Sequence, residues 1–186
     1  MNLELKARIY EVNLDIVDIN GFKYNLHLVE VGNHPEFKVL IPIFADVSVG
    51  DCITTTDWIL TRLGNEKPAD LCIRIDKFEF VVNKSFEVSK YLNAKVTGMF
   101  LNSDKCFLRT LGPDKKPFYM ATLKVKDSYG EPFENIIVGF GNIAKKLSTI
   151  KKRSVIECEV TVKRRQEHPG YEFAVLSIEV KSEVNE

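Results

Sequence analysis

The chain has 186 residues, 45% of them apolar, and its 26 Lys and Arg balance 26 Asp and Glu. That length holds one large domain or two small ones, and no apolar run approaches the roughly 18 residues of a membrane span. The opening "MNLELKARIYEV" alternates and carries charge, so no secretory leader is expected. The four cysteines, at 52, 72, 106 and 158, form no Cys-x-x-Cys pair and read as reduced core residues of a cytoplasmic protein.

Period-2 alternation dominates the chain. Leu3, Leu5, Ala7 and Ile9 alternate with polar or charged neighbours and make the first strand. The Asn20-Gly21 pair predicts a turn into "FKYNLHLVEV". "FKVLIPIF" follows with Val39, Ile41 and Ile43 on one face, then "DCITTTDWILTRL" and "DLCIRIDKFEFVV". No helix interrupts these five strands.

The pattern then starts again. "LNAKVTGMF" opens the second set. "PFYMATLKVKD" puts Tyr119, Ala121, Leu123 and Val125 on one face and Phe118, Met120, Thr122, Lys124 and Lys126 on the other. "FENIIVGF" is read with Ile136, Val138 and Phe140 inward and Phe133, Asn135 and Ile137 outward. "NIAKKLSTI" has helical spacing, with Ile143, Ala144 and Leu147 on one side. "SVIECEVTVKRR" buries Ile156, Cys158, Val160 and Val162, and "YEFAVLSIEVKS" closes the set.

Two sets of five strands imply an internal duplication. Five strands with a short helix between the third and fourth is the layout of an OB-fold barrel. The expected fold is therefore all-β: two tandem five-stranded Greek-key OB-fold barrels, the second with a short helix between strands three and four. A single large β-sandwich is the competing architecture. The expected domains are 1–86 and 90–186. Charge separates them as well. Residues 1–88 hold 9 basic and 14 acidic side chains, and residues 89–186 hold 17 and 12. An acidic half suits assembly or a protein partner, and a basic half suits phosphate.

A reader of single-stranded nucleic acid needs cations along a groove and rings on which bases stack. The expected outward face of the second half offers Phe118 and Phe133 with Lys124, Lys126, Lys163 and Arg165. The loop "KRRQEHPGYEF" adds Arg164, His168 and Tyr171, in a position that OB-folds use to grip a strand. Lys145, Lys146, Lys151, Lys152 and Arg153 gather around the helix. Phe107, Phe140 and Phe173 are expected in the core. A dimer interface is the alternative role for Phe118 and Phe133. In the first half Tyr24, Phe44 and Trp58 are the ring candidates, for a core or for an interface.

Chemistry of other kinds finds no foothold. "GFGNIA" lacks the spacing and the Lys-Ser/Thr of a phosphate-binding P-loop. There is no HExxH, no Ser elbow and no Cys/His pairing with metal-ligand spacing. Catalysis, a metal and a cofactor are not expected.

The run from "VTGMFLNSDKCFLRTLGPDKKPFYMATLKV" through "IIVGFGNIAKKLSTIKKRSVIECEVTVKRR" to "YEFAVLSIEV" resembles the bacterial single-stranded-DNA-binding proteins. Gly98 and Arg109 match that family's strand-ending Gly and loop Arg, "MATLKV" its second strand, and Phe140, Gly141, Ile143 and Ala144 its aromatic-Gly entry into the helix. Lys151-Lys152-Arg153-Ser154 replaces the family's Lys-Gly turn, and the only tryptophan, Trp58, lies in the first half. The helix-free first half is similar to primosomal replication proteins. The resemblance implies non-catalytic binding of single-stranded DNA in replication, recombination or repair. It implies a homodimer that supplies four barrels, with replication proteins as partners and no membrane association. A primosome adaptor that binds mainly proteins and an RNA-binding OB protein are the alternatives.

Overall fold

The computed structural model describes residues 3–64, 70–82, 85–101, 108–127, 129–165 and 169–182. His168, Cys106 and Phe107 lie outside them. No helix among the described residues is long and apolar enough to cross a membrane.

The chain divides into two compact units. The first contains β1 (Leu5–Ile19), β2 (Phe22–Val31), β3 (His34–Pro42), β4 (Cys52–Leu63) and β5 (Asp70–Phe80). They form a closed barrel in the order β1-β2-β3-β5-β4. All neighbours are antiparallel except β3 and β5, whose parallel pairing matches Val39 with Ile73. Asn20 and Gly21 both take positive φ, 54° and 85°, the two left-handed residues that a tight hairpin turn requires. Between Pro42 and Cys52 the chain runs through turns with no helix. Ile43, expected inward, falls beyond the end of β3 and is exposed.

Alternation fills this barrel with Ile9, Val29, Phe37, Val39, Ile41, Ile53, Trp58, Leu71, Ile73 and Ile75. Trp58 is core, its Nε1–H donating to the Leu3 carbonyl at 2.8 Å. The outer face is partly buried too. Ile19, Tyr24, Leu40 and Cys72 form a second apolar cluster, with Val17, Leu26 and Leu63 against it. The Tyr24 hydroxyl donates to Asp76 at 2.7 Å. Phe44 is exposed.

The first unit runs on to Ala94. Gly32 N–H donates to the Ser89 carbonyl, and Ser89 N–H donates to the Lys6 carbonyl, at 2.7 and 2.9 Å. A Cβ on Gly32 would stand 2.7 Å from the Leu92 nitrogen, so this approach needs glycine.

The second unit takes over at Lys95. Its elements are β6 (Asn93–Leu101), β7 (Arg109–Leu111), β8 (Lys116–Lys126), β9 (Pro132–Phe140), α1 (Asn142–Thr149), β10 (Val155–Arg164) and β11 (Tyr171–Ser182). The order is β6-β10-β11-β9-β8-β7, and β6 also pairs with β8 to close the ring. As in the first unit, the third and fifth long strands, β9 and β11, run parallel. The chain thus contains two OB-fold barrels of one topology, the second with its helix between β9 and β10. The short β7 was not anticipated; it is a three-residue partner for the start of β8.

Helix α1 buries Ala144 and Leu147. It packs so closely on β9 that a Cβ on Gly139 would stand 2.6 Å from Leu147 Cδ1. Gly141 (φ 59°) turns the chain off the strand, and its N–H donates to the Pro117 carbonyl at 2.8 Å.

Candidate nucleic-acid interface

The antiparallel ladder between β8 and β9 decides which side chains share a face. Phe118 stands opposite Phe140, Ala121 opposite Ile137, Leu123 opposite Asn135, and Val125 opposite Phe133. On β8 the expected parity is found: Tyr119, Ala121, Leu123 and Val125 are buried. On β9 the expected parity is reversed. Phe133, read as an outward ring, is 5% exposed and belongs to the core with Asn135 and Ile137. Phe140, read as core, is 49% exposed. The cause is the register. Phe133 must share the inward face of Val125, and Phe140 the outward face of Phe118.

Phe118 and Phe140 touch across the ladder, with ring centroids 5.3 Å apart and planes tilted by 48°. Arg109 extends the same rung, because β7 sets it opposite Phe118. The structure therefore brings together a guanidinium and two rings on one outward row. Met120 and Leu111 add exposed apolar surface nearby on β8 and β7. Such a row offers π-faces to unpaired bases and a cation to their phosphates.

Two of the cations farther along stand opposite carboxylates in the ladder. Lys124 stands opposite Glu134. Thr122 stands opposite Ile136, Ile136 beside Glu172 on β11, and Glu172 opposite Lys163 on β10. Lys126 and Lys163 are exposed, and Lys124 is half-buried. Arg164 and Tyr171 face each other where β10 and β11 meet their connecting loop. Arg165 N–H donates to the Gly170 carbonyl at 3.1 Å and so shapes that loop.

Around α1, Lys145, Lys151, Lys152 and Arg153 are exposed. Lys146 has a structural task, since its Nζ donates to the Ile178 carbonyl at 2.7 Å. Phe173 is core, as expected. Cys158 and Cys72 are buried thiols. Desolvation pushes the Cys158 thiol up to about 12 and raises the Cys72 thiol as well. Among the described residues no group of three or more His, Cys, Asp or Glu side chains could hold a metal ion.

Phe133 and Phe140 are the two rings that alternation misassigned. Ile137, Val138 and Gly139 are three consecutive buried residues, so a run with no clear period hid the phase of the strand. The usable signal was the setting of Phe140 between Gly139 and Gly141, where a large ring on the core side would meet the helix.

No protein-family model matches the chain, and a search of curated proteins finds no match. Solved structures do match. The wild-type single-stranded DNA binding protein from Thermus aquaticus superposes with a TM-score of 0.61 at 11% identity, covering 100% of this chain and 95% of its own. The protein PriB from Ralstonia solanacearum gives a TM-score of 0.40 at 17% identity, covering 47% of this chain and 96% of its own. An SSB domain from Synechococcus covers 46% of this chain and 91% of its own at 16% identity, with a TM-score of 0.41. The likeness at full length is one of fold: this chain's two OB-fold barrels share the architecture of the Thermus aquaticus single-stranded DNA binding protein.

Proposed function

We propose that the chain binds single-stranded DNA without catalysis, through the outward face of β7, β8 and β9, and serves DNA replication, recombination or repair in the cytoplasm. The observation that carries this reading is the Arg109–Phe118–Phe140 row. Two contacting rings on a barrel's strand-two and strand-three face are what unpaired bases stack on, at about 1–3 kcal/mol per base. Lys124, Lys126 and Lys163 extend that outward face; Arg164 and Tyr171 follow the register of Val162 and Phe173 and stand at the barrel's rim, where they join Arg165, and His168 outside the described residues, as the remaining proposed contacts. Phe140 replaces Phe133 among them. The full-length likeness to a protein described as binding single-stranded DNA supports the same reading. Two barrels per chain make a homodimer the proposed state, supplying four barrels.

The test is fluorescence anisotropy of labelled oligo-dT, oligo-rU and a duplex against the full chain at two salt concentrations. Binding of oligo-dT that weakens with salt, with a slope near 0.7 per phosphate contact, and that collapses in the Phe118→Ala/Phe140→Ala variant, is the expected result. Absence of oligo-dT binding at low salt refutes the proposal. Tighter binding of oligo-rU moves it to RNA.

One observation favours a second role, for the first unit. Phe22 and Phe44 are 71% and 86% exposed, on the half of the chain with net negative charge. Exposed rings on a half of net negative charge suit a protein partner or assembly better than phosphate.

A further inference from the structure

We infer that Glu134 and Glu172 give the proposed interface a preference for bases carrying an exocyclic amine over thymine and uracil. The inference rests on the single-strand reading above and deepens it.

Both carboxylates lie on the outward face that carries the Phe118–Phe140 pair. The rung holding Thr122, Ile136, Glu172 and Lys163 is four residues along β8 from Phe118, about 13 Å at ~3.3 Å per residue. The rung of Lys124 and Glu134 lies two residues farther, about 20 Å from the rings. On a strand that runs along β8, the bases that follow the one stacked on the ring pair lie over these rungs. Each carboxylate faces a lysine across the ladder, so the rung stays close to neutral and a neighbouring phosphate meets a cation as well as an anion.

An ionised carboxylate only accepts hydrogen bonds. On an unpaired base the strong donors are the amines of cytosine N4, adenine N6 and guanine N2. Uracil and thymine offer one ring N–H flanked by two carbonyl oxygens, which a carboxylate repels. Glu172 is half-buried, which strengthens that choice by thinning the water that would screen it.

The test compares oligo-dC with oligo-dU, which share ring size and backbone and differ in the donors and acceptors of the pyrimidine edge. Affinities are measured at pH 7.5 for the full chain and for Glu134→Gln/Glu172→Gln, with thermal melting as the fold control. The expected result is a dC-over-dU ratio of at least about five in the wild type, falling toward one in the variant, which still binds dU as tightly or more tightly. A wild-type ratio at or below one overturns the inference, and so does a ratio that survives in the variant. Failure of the wild type to bind either oligonucleotide, by contrast, overturns the single-strand reading itself.

Discussion

Phe133 and Phe140 are seven residues apart on one strand, and the barrel assigns them opposite duties. Substituting each by Ala separates those duties. Phe140 is half exposed and leans on Phe118 at 5.3 Å. Its removal forfeits one stacking platform, about 1–3 kcal/mol, which is roughly a 5- to 150-fold loss of oligo-dT affinity. The stability cost is limited to the ring pair, about 0.5–1.5 kcal/mol. Phe133 is almost fully enclosed, opposite Val125. Its truncation leaves a cavity and costs about 3–5 kcal/mol, a fall in Tm on the order of 10 °C for a chain of this size. Anisotropy titrations and calorimetric melts of the two variants, run side by side, read both quantities. Phe140→Ala should bind weakly and melt near the wild type. Phe133→Ala should melt early and, below its Tm, bind almost normally. The opposite pattern would refute the register argument, and weakened binding in neither variant would remove Phe140 from the interface.

Gly139→Ala should destabilise the chain by about 1–3 kcal/mol, because the new methyl enters the space held by Leu147; a melt within 1 °C of wild type would contradict that packing. His27 is fully buried, accepts the Asn13 N–H at Nδ1, and is held below its usual 6.5 by desolvation. It takes up a proton less readily in the fold than when unfolded, so its contribution is complete above about pH 6.5 and is lost as the pH falls below that value. Urea unfolding between pH 7.5 and 5 should show this decline, and a His27→Gln variant with an unchanged slope would assign it to other groups. Thiol labelling followed by mass spectrometry should modify the half-buried Cys52 before Cys72 and Cys158, whose thiols are buried and held protonated. Labelling of Cys158 at the rate of Cys52 would mean that the second barrel opens readily.

The sequence by itself determined the long strands, their repetition and the helix α1. Those features depend on local rules: alternation over "PFYMATLKVK" and "VIECEVTVK", left-handed turn residues at Asn20-Gly21, and helical spacing of Ile143, Ala144 and Leu147. The inward faces of β8 and β10 followed from the same alternation, because Thr122, Lys124 and Lys126 on β8 and Glu157, Glu159 and Lys163 on β10 mark the opposite face. Where alternation was blurred, only tertiary structure decided. Asn135 sits inside the barrel with its Nδ2 unpaired, while Phe140 sits outside, so polarity pointed the wrong way at both ends of β9. Ile137, Val138 and Gly139 are buried on both parities of β9, so no alternating polar face announces its phase. The ladder to β8 supplied that phase, and with it the pairing of Phe118 with Phe140 and of Lys124 and Lys163 with carboxylates. Residue types named the chemistry of the second half; cross-strand register, a contact between distant segments, settled which rings and charges meet.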